Sequence, residues 1–345
     1  MSPRASSTRS SDTPLLVPRG GAFGGTALRT LDARLCAVRS GAERPGQTEW
    51  MPASLPELLP WFDEHARDLP WRRPGTSAWG VLVSEFMLQQ TPVSRVAPIW
   101  LEWLARWPVP SALAVALPAD VLRAWGKLGY PRRALRLHAT ATVIATEHAD
   151  QVPDQLDALL ALPGVGAYTA RAVLAFGYRR RAPVVDTNVR RVIARAVHGI
   201  GDAGPARTAA DLADAEALLP AGDAEGARFA AALMELGAVV CTARTPSCRI
   251  CPVRARCAWQ AAGRPEYTGP SRRAQIFTGT DRQVRGRLLD VLRQAPGPVR
   301  RIALDAAWPD AQQRERCLLS LLDDGLVELV SDDPQERFAL PGERP

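Results

Sequence analysis

The chain has 345 residues, which is enough for two domains and a small third one. No apolar run approaches the roughly 18 residues of a transmembrane helix, so we expect neither a membrane-spanning protein nor a membrane partner. The net charge of +7 favours a polyanionic partner. Lys127 is the single lysine of the sequence, so chemistry that needs a lysine amine has one side chain to use.

The first 50 residues are rich in serine, arginine and glycine and lack the apolar core of a signal peptide. We interpret residues 1–50 as a disordered extension or as the product of a misassigned start, and a transit peptide is an alternative. Helical periodicity begins just after Met51, which favours Met51 as the true start.

From Pro52 to about Gln260 the pattern is helical throughout, with short turns that contain proline or glycine. Gly177 and Gly199 are predicted to end two of the helices. No alternating segment predicts a sheet in this region. The predicted helices cover SAWGVLVSEFMLQQ, SRVAPIWLEWLARW, PADVLRAWGKLG, RALRLHATATVIATEH, LDALLAL, TARAVLAFG, TNVRRVIARAVHG and ARFAAALMELGAVVC.

Glu85 lies on an unusually apolar helix face, with Val81, Leu82 and Leu88 at helical spacing around it. Burial there raises the pKa of a carboxyl group and keeps it protonated near neutral pH. The alternative is an ordinary solvated glutamate. A second carboxylate, Asp186, opens a helix in the run VVDTN, where aspartate is a favoured N-cap. The N-cap role is compatible with a side chain that also faces a cleft between domains.

The segment LPGVG is typical of a tight turn between two helices. Gly164 and Gly166 allow backbone angles and close approaches that side chains would block. The exposed amides of the following helix form a site for a phosphate oxygen. We therefore predict that Gly164, Val165 and Gly166 contact a DNA backbone; the alternative is an ordinary helix–helix turn.

Four cysteines follow the pattern C-x6-C-x2-C-x5-C in CTARTPSCRICPVRARC. Disulfides are disfavoured because the chain lacks a signal peptide. A zinc ribbon is disfavoured because only one C-x2-C pair occurs. Four cysteines are the usual ligand set of a [4Fe–4S] cluster, which we predict as the cofactor. The predicted ligands are Cys241, Cys248, Cys251 and Cys257.

After a linker at 261–272 that is rich in Gly, Pro, Ser and Arg, the tail has the pattern of a small separate module. Three helices are predicted over DRQVRGRLLDVLRQA, RRIALDAAW and AQQRERCLLSLLDDG, and two short strands over LVELVS and ERFAL. This order predicts a winged-helix-like α+β module at 273–345, which we expect to add contacts to DNA.

Taken together, these motifs resemble the helix-hairpin-helix superfamily of DNA glycosylases, in the branch that contains endonuclease III and the MutY-type adenine glycosylases. The resemblance covers about Leu55 to Trp259. It implies an all-α, two-domain glycosylase fold with an iron–sulfur cluster loop. Residues 51–77 and 184–260 would form the cluster domain, and residues 78–183 a six-helix barrel with the hairpin.

The resemblance also implies roles in catalysis. Glu85 would protonate N7 of adenine, Asp186 would stabilise the oxocarbenium charge of the sugar, and Asn188 would be an accessory polar contact. Tyr168 occupies the position at which bifunctional relatives carry a lysine that attacks the sugar. Because a phenol cannot form that imine, we predict base removal by water without strong lyase activity.

An enzyme that acts on a base must extrude it from the duplex, and two motifs resemble the parts that do so. In MLQQT, Gln90 would wedge into the duplex and Thr91 would lie near the opposing base. In ARDLPWRR, Arg67 and Trp71 would lie near the extruded adenine. The residues of the first motif that we expect at the DNA are Leu88, Gln89, Gln90 and Thr91.

The sequence therefore predicts a monomeric base-excision repair enzyme in the bacterial cytoplasm, at the nucleoid. It would remove adenine opposite 8-oxoguanine or guanine in double-stranded DNA. An endonuclease III-like pyrimidine glycosylase and AP lyase is the enzymatic alternative, which Tyr168 and LQQT disfavour. A non-catalytic DNA-binding protein is disfavoured by the presence of both carboxylates. The tail is too short and too helical for the Nudix-like β-rich domain that recognises 8-oxoguanine in typical MutY-type proteins.

Overall fold

The computed structural model describes residues 55–269, 277–331 and 336–344. The expected extension at 1–50, residues 270–272 of the expected linker and residues 273–276 of the expected C-terminal module lie outside the described residues. None of the helices in the described ranges combines the length and the hydropathy that crossing a bilayer would require.

Helices dominate the described part of the chain, as the periodicity predicts. A π-helical segment, Val173–Gly177, continues one of them, and 3-10 turns occur at Pro70–Arg72, Cys248–Ile250 and Arg254–Arg256. The α-helices are α1 (Leu58–His65), α2 (Ala78–Leu88), α3 (Val93–Arg106), α4 (Pro110–Ala114), α5 (Pro118–Trp125), α6 (Arg132–Glu147), α7 (Leu156–Ala161), α8 (Ala167–Ala172), α9 (Thr187–Ala196), α10 (Thr208–Leu218), α11 (Asp223–Val239), α12 (Ala258–Ala261), α13 (Asp281–Gln294), α14 (Arg301–Asp305) and α15 (Ala311–Asp323).

Helix α2 is a buried helix of the first helical group, which we define as α2 to α8. Ser77 caps it, and its hydroxyl oxygen accepts a hydrogen bond from the Gly80 amide at 3.2 Å. Every residue from Trp79 to Met87 is buried. A helix that is apolar on all sides must be enclosed by other elements, and α2 contacts α3, α6, α8 and the π-helical segment.

Gly177 makes one of these contacts possible. A Cβ atom at this position would lie 3.1 Å from the Cα of Ala78, so a side chain here would crowd α2 and push the π-helical segment away from it. The prediction that a helix ends at Gly177 is confirmed, because the π-helical segment ends at this residue. The other predicted end, Gly199, lies three residues beyond the last residue of α9 and has a left-handed φ of 70°.

Tryptophan side chains fill the space between α2, α3 and α5. The indole N–H of Trp100 donates to the Gly80 carbonyl at 2.8 Å. The ring of Trp103 packs edge-on against Trp107 and Trp125, with ring centres 4.6 and 5.7 Å away. Such rings bury large apolar areas in fixed orientations, which makes this region a rigid support for α2.

A second group of helices packs together after residue 186. Helix α9 packs against α10, α11 and α12, and α11 returns to α1 near the start of the described chain. A buried ion pair joins α9 to α10, with Arg190 Nε donating to Asp211 Oδ2 at 2.7 Å. The amino-terminal helix is thus packed with elements more than 150 residues later in the chain.

The described strands lie in the C-terminal module and form a three-stranded antiparallel sheet, β1 (Val299–Arg300), β2 (Glu328–Ser331) and β3 (Arg337–Ala339), in the order β1-β3-β2. Two of the three strands were predicted. Strand β1 was not predicted, because two residues are too few to show alternation. The predicted start of a helix at Arg300 was wrong, since this residue is extended with ψ of 153°.

The module is docked on α5. The Ala119 amide donates to the Pro341 carbonyl at 3.0 Å, and the Arg123 guanidinium donates to the Ala295 carbonyl at 2.9 Å. Because these bonds involve backbone groups on one or both sides, they hold the module in a defined position against the first helical group.

Candidate active site

Glu85 lies in the middle of α2 and is only 5% exposed. Burial raises the pKa of its carboxyl group to about 7, and the nearby charge of Asp186 acts in the same direction. A hydrogen bond with Tyr168 and the charge of Arg72 act against this rise. The carboxyl group therefore keeps its proton up to neutral pH, which is the requirement for a general acid.

Tyr168 lies in the first turn of α8. It directly follows the hairpin, which is the LPGVG turn between α7 and α8. Burial raises the pKa of its phenol well above the ordinary value, and the charges of Glu85 and Asp186 raise it further. The phenol is therefore neutral and donates its proton to the Glu85 carboxyl in their hydrogen bond. The single lysine, Lys127, lines a separate cleft beside α13.

Asp186 is the N-cap of α9. Its Oδ1 accepts hydrogen bonds from the amides of Asn188 and Val189, each at 2.8 Å, and its Oδ2 accepts from the Asn188 side chain at 2.8 Å. Burial raises the pKa of Asp186, while these three hydrogen bonds favour the charged form. Asp186 also acts on the pKa of Glu85, so the two carboxyl groups share one electrostatic environment.

Asn188 connects Asp186 to the helix behind it. Its side-chain oxygen accepts from Arg191 at 2.7 Å, and Arg191 also donates to the Gly237 carbonyl at 2.7 Å. A Cβ atom on Gly237 would lie 2.7 Å from the Asn188 Cβ and 2.8 Å from its carbonyl oxygen. The absence of a side chain at Gly237 therefore sets the distance between α9 and α11, and with it the position of Asp186.

The predicted pocket residues Arg67 and Trp71 contact other protein groups. Arg67 makes a bidentate ion pair with Glu235, through Nε at 2.6 Å and Nη2 at 3.0 Å. Arg72 donates to the same carboxylate at 2.9 Å. Trp71 is buried, and its ring packs edge-on against Trp100 with 6.0 Å between ring centres.

Sequence reasoning missed Glu235 and Arg72. Glu235 is completely buried; burial alone would raise its pKa, but Arg67 and Arg72 outweigh this effect and hold it below the ordinary value. The sequence does contain a signal of burial for Glu235, because the residues at positions −4, −3, +3 and +4 are alanine, alanine, alanine and valine. That is the pattern that singled out Glu85.

The predicted DNA-contacting run forms the turn after α2. Gln90 is exposed and has a left-handed φ of 57°, whereas Leu88 and Gln89 are half-buried. Thr91 is buried, and its hydroxyl accepts from Arg133 at 3.0 Å. Arg133 also donates to three carbonyl groups at the end of α2, at 2.7–3.1 Å. This buried arginine, which sequence reasoning missed, holds the turn in place and leaves Gln90 projecting.

The hairpin has the glycine geometry that the sequence predicts. Gly164 has a φ of 75°, and a Cβ there would lie 3.0 Å from the Cβ of Arg136. Val165 is buried and anchors the turn, while Gly166 is exposed at the N-cap of α8 with no atom within 4 Å of where a Cβ would be. The backbone of the turn is therefore open to a ligand.

The four predicted cysteine ligands line one cavity, together with apolar side chains such as Leu236 and Val253. Arg195 approaches the group, with its Nη1 at 3.5 Å from the Cys241 sulfur. Within the described residues, no set of three or more His, Cys, Asp or Glu side chains is arranged to hold a single metal ion. The arrangement is thus a shared thiol-lined cavity rather than a closed single-ion site.

Residues 83–215 match the family described as HhH-GPD superfamily base excision DNA repair protein. A solved thermostable thymine-DNA glycosylase is similar, with 27% identity and a TM-score of 0.55 over 60% of this chain and 95% of that one. Endonuclease III in a non-covalent DNA complex has the same fold, with 20% identity and a TM-score of 0.52 over 61% and 95%. Fold and site thus define a helix-hairpin-helix base-excision repair protein.

Comparison with curated relatives identifies the family within this class of repair proteins. The chain is 63% identical over 287 residues to the adenine DNA glycosylase of Mycobacterium tuberculosis H37Rv, covering 83% of this chain and 93% of that protein. It is 62% identical over 294 residues to the adenine DNA glycosylase of Mycolicibacterium smegmatis, covering 85% and 98%. The human adenine DNA glycosylase is 39% identical over 217 residues. The chain belongs to the adenine DNA glycosylase family.

Proposed function

We propose that this chain hydrolyses the N-glycosidic bond of adenine mispaired with 8-oxoguanine or guanine in double-stranded DNA, without strong strand-cleaving activity. The observation that carries the proposal is the group formed by Glu85, Asp186 and Tyr168. One carboxyl group has a pKa of about 7, and the other is held by three N–H donors. Two carboxyl groups in different environments suit the acid and the charge-stabilising role of glycoside cleavage.

In the proposed reaction, Glu85 donates its proton to N7 of the extruded adenine. The electron pair of the C1′–N9 bond then leaves with a neutral base, and positive charge develops on the sugar. The Tyr168 phenol, hydrogen-bonded to the carboxyl group, orients Glu85 toward the base. Since the phenol cannot form an imine with the sugar, the reaction ends with hydrolysis.

Asp186 faces the developing oxocarbenium charge in this mechanism. Its hydrogen bonds from Asn188 and Val189 hold a carboxylate in place before the reaction begins, so no reorganisation is needed as the charge forms. Water then attacks C1′, and the attacking water's proton passes to a carboxylate. Asn188 positions Asp186 through the hydrogen bond that its side-chain amide donates to Asp186 Oδ2, and it remains an accessory polar contact.

The DNA is held by backbone contacts from Gly164, Val165 and Gly166, which position the duplex without reading its sequence. The projecting Gln90 enters the space that the extruded adenine leaves. Arg67 and Trp71 border the adenine, with the Arg67 guanidinium oriented by its ion pair to Glu235.

We also propose two lobes and a module within the chain. The packing of α2 with α3, α6 and α8 supports a barrel at 78–183, and the packing of α1 and α9 with α11 supports a second lobe at 51–77 and 184–260. The three helices and small sheet after residue 277 support a winged-helix-like module.

The thiol-lined cavity suits a [4Fe–4S] cluster, because four cysteines, the ligand set of such a cluster, share one cavity with apolar walls. Cys241, Cys248, Cys251 and Cys257 would hold it. When bound, the cluster would tie the loop after α11 to α9 and α12. The chain's own arginines in this loop, Arg249 and Arg254 among them, would then face the DNA.

Cys251→Ser is expected to abolish stoichiometric iron binding and the visible absorption of the purified protein, and to lower its melting temperature. The matched control is Cys317→Ser, because Cys317 is buried in the C-terminal module, away from the other four. That variant should keep its full iron content. Equal iron loss in both variants, or none in either, would contradict the assignment.

The substrate assignment is tested by incubating the wild-type protein with duplexes that contain A:8-oxoguanine, A:G or an oxidised pyrimidine. The released base is identified by chromatography, and strand breaks are scored with and without alkali. We expect free adenine from the first two duplexes, with breaks only after alkali. Release of the oxidised pyrimidine, with a borohydride-trapped covalent complex, would favour the lyase alternative.

Gly237→Ala is expected to slow adenine excision by about 10- to 100-fold, because the added methyl group displaces Asn188 and with it Asp186. The variant should lose about 1–3 kcal/mol of stability. Gly222→Ala, at the other end of α11, is the control because its Cβ would lie 4.0 Å from the nearest atom. Single-turnover rates and melting curves of both variants test this, and equal rates in the two would overturn the account of Gly237.

A further inference from the structure

An open cleft separates the C-terminal module from the first helical group. One wall is the loop after α5, from Gly126 to Pro131, together with the first turns of α6, and the opposite wall is α13. Gln89 and Gln90 also line it, so the cleft is continuous with the projecting turn after α2. The Arg282 guanidinium lies 5.0 Å from the Tyr130 ring centre, which brings the two walls together at one end.

The cleft is strongly cationic. Nine of its lining side chains are arginine or lysine and two are aspartate. Both aspartates are neutralised, since Asp324 pairs with Arg132 and Arg285 and Asp290 pairs with Arg293. Four exposed cations have no carboxylate partner among the described residues, namely Arg95, Lys127, Arg136 and Arg287. A concentration of unpaired charge in a concave surface attracts a polyanion.

The last helix of the module, α15, differs from the cleft in the charge of its outer face. In helix-turn-helix proteins the corresponding helix enters the major groove. Here Arg314 pairs with Asp305 at 2.9 Å and Arg316 with Asp281 at 2.7 Å, while Leu319 and Asp323 are exposed. All the basic side chains of α15 are therefore neutralised within the protein, and its outer face does not suit a phosphate backbone.

We infer that the cleft beside α13 binds the sugar–phosphate backbone of the strand opposite the extruded adenine. The first helix of the module, rather than its last, then faces the DNA. This inference rests on the proposed function, because Gln90 marks the position of the extruded base and borders the cleft. Arg287 and Lys127 contact phosphates from opposite walls, and Arg136 extends the contact toward Gly164 of the hairpin.

The test uses the full-length chain and a duplex in which 2′-fluoro-deoxyadenosine, which resists cleavage, lies opposite 8-oxoguanine. Dissociation constants are measured over a range of salt concentrations for wild type, Arg287→Ala and Arg300→Ala. Arg300 is the matched control, as an exposed arginine of the same module outside the cleft. We expect Arg287→Ala to weaken binding several-fold and to reduce the salt slope by about 0.9, the value for one phosphate contact. Arg300→Ala should match wild type.

Phosphate-ethylation interference assigns the strand. In wild type, ethylated phosphates that inhibit binding should occur on the 8-oxoguanine strand, and one of these positions should lose its effect in Arg287→Ala. An unchanged salt slope, or a lost interference position on the adenine strand, would overturn the inference. Neither result would affect the proposed function, which fails separately if wild type releases no adenine.

Discussion

Glu85→Gln is expected to lower the rate of adenine release by about 10²- to 10⁴-fold, the range that general acid catalysis contributes. Glutamine keeps the shape and the hydrogen bond to Tyr168 but has no acidic proton to give to N7. Single-turnover excision on an A:8-oxoguanine duplex, developed with alkali, measures the effect. A variant rate within a few-fold of wild type would remove Glu85 from its proposed role.

The pH dependence follows from the direction of the same pKa. Burial raises the pKa of Glu85 from 4.5 to about 7, so the active, protonated form is lost as the pH rises through about 7. The apparent second-order rate constant of wild type should therefore fall above this pH. The residual activity of Glu85→Gln should lack this decline.

Stability provides a control that the variant is folded. The folded protein holds a proton on Glu85 up to about pH 7, whereas the unfolded chain releases it near 4.5, so wild type loses stability between these pH values. Glutamine is neutral throughout. Glu85→Gln should therefore melt above wild type at pH 8 and close to it below pH 4. A lower melting temperature at pH 8 would contradict the burial argument.

Asp186→Asn is expected to lower adenine excision by about 10²- to 10³-fold, because the side chain that faces the developing sugar cation loses its charge. Asparagine is as good an N-cap as aspartate, so α9 should keep its position. Single-turnover rates measured with enzyme in excess over DNA test this without interference from weaker binding.

The control for that change is Asp310→Asn. Asp310 is also a helix N-cap, and its carboxylate accepts from the Gln313 amide at 3.0 Å, but it lies in the C-terminal module. The Asp310→Asn variant should excise adenine at the wild-type rate. If both variants retain full activity, Asp186 is only a cap. If both lose activity, a general loss of folding explains the effect.

The sequence predicts the helices of this fold well where they are long and amphipathic. It misses α4, which has five residues, and α10, which is rich in alanine and aspartate and has little apolar periodicity. The burial of Glu85 is predictable because helical spacing reports on one face of a single helix. The N-cap at Asp186 is predictable because capping is a local interaction.

Contacts between distant segments could not be predicted from helical spacing and capping, which are local signals. Glu235 and Arg67 are 168 positions apart, and Arg133 reaches the end of α2 from 44 or more positions away. Their pairing depends on how helices pack, which one sequence does not report. The close approach of Gly237 to Asn188 is another example, since a glycine in a helix signals a contact without naming the partner.

The most direct test of the account compares wild type and Glu85→Gln on one A:8-oxoguanine duplex, scored for strand breaks with and without alkali. We expect wild type to leave alkali-dependent breaks at the adenine position and no breaks without alkali, and the variant to leave neither in the same time. Equal alkali-dependent breaks from both proteins, or breaks by wild type without alkali, would contradict excision by a buried carboxylic acid that stops at base removal.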